Sequence, residues 1–518
     1  LMRIERTKNA TRNIVFGSFM KAYQMIIPFL MRTAMIYFMG VQYLGLNSLF
    51  VSILQVLNLA ELGVGNAMVF SMYKPIVEDD EMTICSLMRL YRTYYRIIGS
   101  IIAVVGIAVT PFIPKLIKGD IPAELNIYIL YLLNLAATVL SYWLFAYKNS
   151  LLQAHQRTDV SSIITVITNT LQYGLQLLII LFFKNYYLYI IVVLATQIFN
   201  NILTAIIVTR MYPKYKPVGR LEKKEIKKIN GRIKDMFTGK IGSIILNSAD
   251  TIVISSFLGL TTLAVYQNYY FIITSIIGFI EIIITSIMAG LGNSFITDTK
   301  EKVYTDLKKF TFMYQWLIGI CSCCLLCLYQ PFMHIWVGEK LMLSFPAVIC
   351  FSVYFYVYEF NRLLNVYKDA AGLWHEDRFR PLATSLANLA LNLVLVQFWG
   401  VYGVLLSTVI SMLIVGMPWL FFNMFTVFFD KNLAKPYLRQ IFYYVIISFV
   451  ACSISYRICL LLPVNEWMAI FVRLIICMII PNGIFLLVYH KKIEFGQSVQ
   501  MLDKITKGKF HLGSLLKS

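Results

Sequence analysis

Charged residues are scarce in this chain of 518 residues. Asp, Glu, Lys and Arg together make up 14% of it, whereas a soluble globular domain carries about 25%. Hydrophobic residues make up 59%, and the mean hydropathy is +0.70. Since a soluble surface needs far more charge than this, the composition excludes a soluble fold. It predicts an all-α protein that crosses the membrane many times.

Motifs for catalysis and nucleotide binding are also missing. The sequence contains no Walker loop, no G-x-S-x-G elbow and no H-E-x-x-H zinc motif. The loops predicted below to face outward have at most about a dozen residues, too few for an extracellular catalytic domain. We therefore expect neither an enzyme nor a cofactor. Any transport must then draw on an ion gradient, on the membrane potential or on consumption of the substrate.

The nine cysteines do not form a recognisable metal motif. Cys321, Cys323, Cys324 and Cys327 lie inside one apolar segment, without the flanking His residues or the loop spacing of a zinc site. Buried cysteines pack as small hydrophobic residues. We interpret this group as packing residues and expect no metal site.

Fourteen segments are apolar and long enough to cross a bilayer, which takes about 20 helical residues. They fall near 13–39, 44–73, 90–114, 122–147, 159–183, 187–210, 238–258, 263–290, 308–330, 343–367, 381–398, 402–427, 439–461 and 466–489. The break at Trp399 and Gly400 is short. Segments 381–398 and 402–427 are therefore either two crossings or one re-entrant pair.

Positive charge is concentrated on one side of this topology. With a cytoplasmic N-terminus, the inside segments hold 37 of the 46 Lys and Arg residues and the outside loops hold 4. The largest group is the stretch 210–240, with eleven basic residues against three acidic ones. Because cytoplasmic loops are enriched in Lys and Arg, both termini and this stretch are predicted to be cytoplasmic. The same distribution explains the net charge of +20 without a nucleic-acid partner.

The two halves of the chain repeat each other. PFIPKLIKG (111–119) aligns with PFMHIWVG (331–338), and GVQYLG (40–45) aligns with GLTTLA (259–264). Further pairs at a shift of 220 are Gly99 with Gly319, Tyr147 and Lys148 with Tyr367 and Lys368, and His155 with His375. Six spans separate each pair, and an even number of crossings preserves orientation, so the repeats are parallel.

This repeat predicts the domain organisation. We expect a six-helix bundle over 1–210, a basic cytoplasmic linker over 211–237 and a second six-helix bundle over 238–430. A helix pair over 431–490 and a cytoplasmic tail over 491–518 follow. Two parallel-related bundles leave a cavity between them, and rocking of one against the other gives alternating access. Pro28, Gly239 and Gly242 are candidate hinges, although Pro and Gly are common in membrane helices without any such role.

Charged and strongly polar residues inside the predicted spans are candidates for lining that cavity, because a charge that faces lipid is costly. The charged ones are Lys21 and Arg32 on one face of the first span, Glu61 in the second, Asp250 in the seventh, Glu281 in the eighth and Arg362 in the tenth. The polar Asn247 lies on the same face of the seventh span as Asp250. Arg362 follows Glu359 at i,i+3 spacing, so the two can also pair with each other. For the acidic residues, helix packing is an equal alternative, and Lys21 could extend to the cytoplasmic surface.

Three arginines mark the cytoplasmic end of the third span. Arg89, Arg92 and Arg96 alternate with tyrosines there and are candidates for a cytoplasmic entrance for an anionic substrate. The alternative is that they are ordinary basic residues at a cytoplasmic helix end. Arg binds phosphate in a bidentate manner, so an anion is the substrate type that these residues favour.

Four motifs carry a family resemblance. LNLAELGVGNAM (57–68), ILNSADTIVISSFLG (245–259), QPFMHIWVG (330–338) and YKDAAGLWHEDRFRP (367–381) resemble the polysaccharide-transporter family of bacterial membrane proteins. This family contains the O-antigen and capsule repeat-unit flippases, within the multidrug/oligosaccharidyl-lipid/polysaccharide exporter superfamily. The resemblance runs over about residues 5 to 490.

The resemblance implies both the two-bundle fold and a function. It implies a flippase in the bacterial cytoplasmic (inner) membrane that moves an undecaprenyl-pyrophosphate-linked oligosaccharide to the outer leaflet. Membrane lipids, a polysaccharide polymerase and glycosyltransferases are the expected partners besides the lipid-linked substrate. The lipid II flippase is a relative with the same number of spans, whereas drug exporters of the superfamily usually have twelve.

Other functions remain as alternatives. A cation-coupled exporter of small amphiphiles would use acidic residues such as Asp250 and Glu61 as its main binding groups. A membrane glycosyltransferase or polymerase would need a sizeable outward loop and would not need the parallel repeat. A scaffold without transport activity would need no charges inside its spans.

Overall fold

The protein is helical throughout the part that its structure describes. The computed structural model covers residues 6–61, 63–119, 121–122, 124–461 and 466–505. Within these ranges the chain forms nineteen α-helices and no β-strand, which confirms the all-α prediction. The chain divides into two compact units, Leu1–Gln267 and Asn268–Ser518.

The first unit contains the helices up to the start of α10. They are α1 (Arg6–Phe38), α2 (Val41–Leu57), α3 (Val64–Glu78), α4 (Glu81–Val109), α5 (Ile127–Trp143), α6 (Asn149–Ala154), α7 (Thr158–Leu178), α8 (Tyr186–Met211), α9 (Lys223–Leu258) and the beginning of α10 (Leu260–Thr297). Several begin at side-chain caps that satisfy their first backbone N–H groups. The Asp80 carboxylate accepts from Thr83 N at 3.0 Å, and the Asn185 side chain accepts from Leu188 N at 3.2 Å.

The second unit contains the remaining helices. They are the rest of α10, α11 (Lys300–Val337), α12 (Phe345–Ala370), α13 (Trp374–Asp377), α14 (Arg380–Trp399), α15 (Val401–Ser411), α16 (Met417–Asn423), α17 (Lys431–Leu460), α18 (Glu466–Tyr489) and α19 (Ile493–Ile505). Two π-helical turns, Met412–Gly416 and Met424–Phe428, continue α15 and α16.

The predicted spans agree with these helices. Each of the fourteen coincides with one helix or with helices in series. By length and composition, ten helical stretches in the described ranges can cross a membrane, and the bent pair Ile127–Trp143 and Ala146–Ala154 makes eleven. Helix α2 is a shorter apolar helix. The structure is that of a multi-pass membrane protein.

The break at Gly400 separates two helices. Gly400 has φ 55°, and α14 and α15 on either side of it pack along each other. A Cβ at Gly403 would lie 2.2 Å from the Leu395 carbonyl oxygen, so only glycine permits this close approach. The two stretches Trp374–Trp399 and Val401–Phe428 are each long enough to cross the membrane, which favours two crossings over a re-entrant pair.

Backbone conformation agrees with the repeat found in the sequence. Gly40 and its equivalent Gly259 have φ 124° and 93°, and each separates two long helices. Gly119 and its equivalent Gly338 have φ 90° and 77°. L-residues with side chains rarely adopt these angles. The aligned glycines therefore share a conformational requirement as well as a residue type.

Helix α9 packs within the first unit. It lies against α2 and α3, and the Ser255 carbonyl oxygen accepts from Lys118 N at 3.0 Å. A Cβ at Gly45 of α2 would lie 2.2 Å from the Leu260 carbonyl oxygen. These contacts place the division between the compact units at residue 267, later than the predicted linker 211–237.

The core of the second unit forms around α11. This helix packs against α12, α17, α18 and α19. Phe312 and Trp316 of α11 meet Phe485 and Tyr489 of α18 in edge-to-face and tilted contacts with ring centroids 5.4–6.2 Å apart. Such aromatic pairs add to the stabilisation by buried area. The C-terminal helix pair is thus an integral part of this unit.

Candidate functional site

The first-span cations lie on α1 in the first unit. Lys21 and Arg32 are both partly buried, and the charge of Arg32 interacts with the buried Tyr189 of α8. Tyr23 of the same helix is hydrogen-bonded to Thr170 of α7, with 2.9 Å between the oxygens. Helix α1 thereby packs on α7 in the first unit.

The three predicted entrance arginines lie on α4 next to the basic stretch. Arg89 and Arg96 are exposed and Arg92 is partly buried. Arg89 Nη1 donates to the Gly219 carbonyl oxygen at 2.9 Å. Tyr94 of the same helix donates to Asn230 Oδ1 of α9 at 2.7 Å. The structure therefore brings the arginines of α4 and the stretch 210–240 together at one end of the unit.

Glu61 is the acceptor at the end of a chain of tyrosines. Tyr91 donates to Tyr95 at 2.7 Å, and Tyr95 donates to Glu61 Oε1 at 2.8 Å. Lys240 of α9 also acts electrostatically on this carboxylate. A Cβ at Gly65 would lie 3.0 Å from the Tyr91 hydroxyl and 3.3 Å from Glu61 Oε1. Because Gly65 has no side chain, the Tyr91 hydroxyl and the Glu61 carboxylate can lie close to α3.

The candidate carboxylate of α9 also accepts a hydrogen bond from a tyrosine. The Tyr266 hydroxyl donates to Asp250 Oδ2 at 3.4 Å. Asp250 is partly buried, whereas Asn247, one turn earlier, is exposed. Within the first unit, therefore, both candidate carboxylates, Glu61 and Asp250, accept hydrogen bonds from tyrosine hydroxyls.

In the second unit, Arg362 lies between two carboxylates. Its Nη2 is 3.2 Å from Glu281 Oε1, and its Nη1 is 3.6 Å from Glu359 Oε1. Nη1 also donates to the Ile277 carbonyl oxygen at 3.3 Å. Glu359 is fully buried and accepts a short hydrogen bond from Tyr314. The sequence indicated the pair with Glu359, but the contact with Glu281 appears only in the structure.

The candidate hinge residues lie inside continuous helices. Helix α1 continues through Pro28, and α9 continues through Gly239 and Gly242. A bending role for these residues stays a prediction.

One charged network was not predicted from the sequence. It lies where the chain passes from α12 to α14. Arg380 donates to both oxygens of Asp377, at 2.6 and 2.8 Å, and Lys368 Nζ lies 3.3 Å from Asp377 Oδ2. Asp377 and Arg380 are buried. Their i,i+3 spacing within the motif YKDAAGLWHEDRFRP was the available signal, but their burial was not apparent from it.

The equivalent loop in the first unit is built around His155. This residue is buried and stacks on Tyr212, with ring centroids 4.3 Å apart. Burial lowers the pKa of the His155 imidazole. Nearby, Arg157 holds the buried Asp159 through two hydrogen bonds of 3.0 and 3.2 Å. Hydrogen bonding to Asp159 raises the pKa of the Arg157 guanidinium.

Several solved structures share the fold. The lipid II flippase MurJ in an inward closed conformation matches with a TM-score of 0.68 and 16% identity, over 93% of this chain and 100% of that chain. An inward-facing multidrug resistance MATE family transporter of the MOP superfamily matches with a TM-score of 0.58 and 14% identity, over 79% and 94%. A MOP superfamily transporter from Pyrococcus furiosus, noted for the reverse polarity of its binding pocket, matches with a TM-score of 0.50 and 13% identity, over 80% and 94%.

Neither a family model nor a curated protein sequence matches the chain. At 13–16% identity, the likeness to the solved structures establishes the fold. This fold agrees with the all-α, multi-pass architecture that the sequence predicted.

Proposed function

We propose that this protein is a flippase that moves a polyprenyl-pyrophosphate-linked oligosaccharide from the cytoplasmic to the outer leaflet of the bacterial inner membrane. The main support is that its fold matches that of a lipid II flippase over 93% of the chain. A multidrug resistance MATE family transporter matches over 79% of the chain. Lipid II itself is the alternative cargo.

The chemistry of the first unit suits an anionic headgroup. A pyrophosphate must leave water and cross about 30 Å of hydrocarbon, so cations have to replace its hydration. Arg32 and Lys21 supply positive charge on α1, and the α4 arginines with the stretch 210–240 would attract the headgroup from the cytoplasm. Arg362 already lies between two carboxylates. We therefore assign pyrophosphate binding to Arg32 rather than to Arg362.

The test is the Arg32→Ala variant, assayed by accumulation of the lipid-linked glycan in the inner leaflet. Loss of one charge-assisted phosphate contact costs about 1.5–3 kcal/mol, so we expect affinity to fall roughly tenfold to a hundredfold. Arg32→Lys should rescue only in part, because Lys keeps the charge and loses the bidentate geometry. The matched control is Arg457→Ala, which removes an exposed span arginine outside the repeat.

The opposite pattern would identify a different class of transporter. If Arg32→Ala exports glycan at the normal rate while Asp250→Asn stops transport, anion binding is not the mechanism. A cation-coupled exporter of small amphiphiles would then be the better assignment. Membrane insertion and protein level, measured for each variant, separate transport defects from folding defects.

The proposed orientation can be tested by labelling with a membrane-impermeant maleimide. Cysteine at exposed Lys216 should label only from the cytoplasmic side, and cysteine at exposed Lys118 only from the outside. Gly219 is a poor site in the basic stretch, because a Cβ there would lie 2.4 Å from Ser86 Oγ. Labelling of both positions from the outside would contradict the topology.

A further inference from the structure

The structure brings together cysteines that are far apart in the sequence. Cys323 and Cys327 lie one turn apart on α11, and Cys477 lies on α18. Their three sulfur atoms are all within 4.8 Å of one another, the only such group of potential metal ligands among the described residues. All three side chains are buried. Packing of cysteines as small hydrophobic residues does not require three sulfur atoms to lie this close together.

The spacing of the sulfurs fits ligands around a single ion. Cys323 Sγ and Cys477 Sγ are 3.8 Å apart. A Zn–S bond is about 2.3 Å, and tetrahedral geometry then places two coordinating sulfurs about 3.8 Å apart. A disulfide would require about 2.05 Å. The observed distance is too long for a disulfide and fits two ligands of one metal ion.

A fourth cysteine and a counter-charge lie beside the three thiols. Cys459 of α17 is buried in the same cluster, but its sulfur is not one of the three that all lie within 4.8 Å of one another. Arg473 donates to the Cys327 carbonyl oxygen at 3.2 Å. Three thiolates, one divalent cation and one guanidinium sum to zero net charge. Neutrality matters because an uncompensated buried charge is costly.

We propose that Cys323, Cys327 and Cys477 bind one thiophilic d10 metal ion, Zn²⁺ by geometry. Soft thiolate ligands select such ions. The ion would join α11, which belongs to the repeat, to α18, which lies outside it. The site is structural, because its ligands are buried between packed helices.

The experiment measures metal content and needs no transport assay, so it is independent of the proposed function. Protein carrying a tag without His residues is purified without chelator, and bound metals are quantified by mass spectrometry. We expect about one Zn²⁺ per chain in the wild type, as for a structural thiolate site, and loss of it in Cys323→Ser and Cys477→Ser. Cys350→Ser is the control, because Cys350 is partly buried on α12 outside the cluster.

A second measurement covers the case in which the serine variants fold poorly. Wild-type and Cys350→Ser protein, stripped of metal and titrated with Co²⁺, should both show thiolate-to-cobalt charge-transfer absorption at one equivalent. One Cu⁺ per chain that is lost in the same variants would also support the site. The proposal is overturned if wild-type protein holds no metal, if the serine variants hold as much as the wild type, or if thiol counting shows a disulfide in the cluster.

Discussion

The two units stabilise buried carboxylates in different ways, although their helices repeat. In the first unit, Glu61 accepts from Tyr95 of α4. In the second unit, Glu359 accepts from Tyr314 of α11, the helix equivalent to α4, and also contacts Arg362. A tyrosine donor is thus common to both units, and in the second unit Arg362 also lies 3.6 Å from the carboxylate.

The equivalent loops show the same contrast. Lys148 of the first unit donates to Thr209 and to the Ala205 carbonyl oxygen. Its repeat equivalent Lys368 contacts two carboxylates, Asp369 and Asp377. The repeat therefore preserved helix positions while the charge pairing diverged. Ion pairs nevertheless hold the structure in both units, because Arg157 of the first unit also binds a buried carboxylate, Asp159.

The largest expected effect is on the Asp377 network. Asp377→Ala removes the carboxylate that Arg380 and Lys368 share, leaving buried Arg380 without that partner. Breaking a buried pair on one side costs about 3–5 kcal/mol, so we expect a marked fall in melting temperature in detergent. Glu376→Ala, at the exposed neighbouring position, should leave the melting temperature unchanged. Equal effects of the two variants would contradict the structural role of this network.

Two tyrosine variants test the difference at Glu61 and Glu359. Tyr95→Phe removes the donor to Glu61 and the acceptor for Tyr91, and we expect a loss of about 1.5–3 kcal/mol, typical for hydrogen bonds to charged groups. Tyr314→Phe should cost less, because Arg362 still contacts Glu359. Thermal unfolding of both variants gives the order. The reverse order would mean that Arg362 does not stabilise Glu359.

A smaller loss of stability is expected when Gly65 is substituted, because Gly65 lies against Tyr91, Tyr95 and Glu61 of the first unit. The Cβ of Gly65→Ala must displace the Tyr91 hydroxyl and Glu61, and mild overpacking of this kind costs about 1 kcal/mol. Gly174→Ala on α7 is the matched control, because nothing lies within 4 Å of its Cβ position. Since Ala favours helix over Gly by about 1 kcal/mol, that control should be stabilised. A stabilised Gly65→Ala variant would disprove the close approach.

The smallest expected effect is on the pH dependence of the melting temperature, when His155 or its repeat equivalent His375 is substituted. The folded-state pKa of His155 is lowered by burial, so the unfolded chain binds the proton more readily. Its contribution to stability is complete above the unfolded pKa of about 6.5 and is lost as pH falls through the lower folded pKa. His155→Phe should flatten the profile of melting temperature against pH in this range. His375→Gln, at the exposed equivalent, should leave the slope unchanged.

Hydropathy and charge were sufficient to predict the helices, because each span needs its own run of apolar residues. The aligned pairs Gly40 with Gly259 and Gly119 with Gly338 were visible for a similar reason, because a positive φ favours glycine at that position of the sequence. Contacts between side chains on distant spans leave no comparable pattern in the sequence. Arg362 was expected beside Glu359, three positions away on the same helix, but Glu281 lies on α10. Cys477 comes from a helix outside the repeat, and no spacing rule connects it to Cys323.

The packing of α17 and α18 on α11 also sets an order of assembly. The residues Cys323 and Cys477 are separated by 154 positions. At translation rates of about 5–20 residues per second, α18 emerges roughly 8–30 s after the middle of α11. Throughout that interval, the face of α11 that contains Gly319 and Cys323 must be covered by lipid or by a membrane chaperone. The second unit can reach its native packing only after α18 has been synthesised.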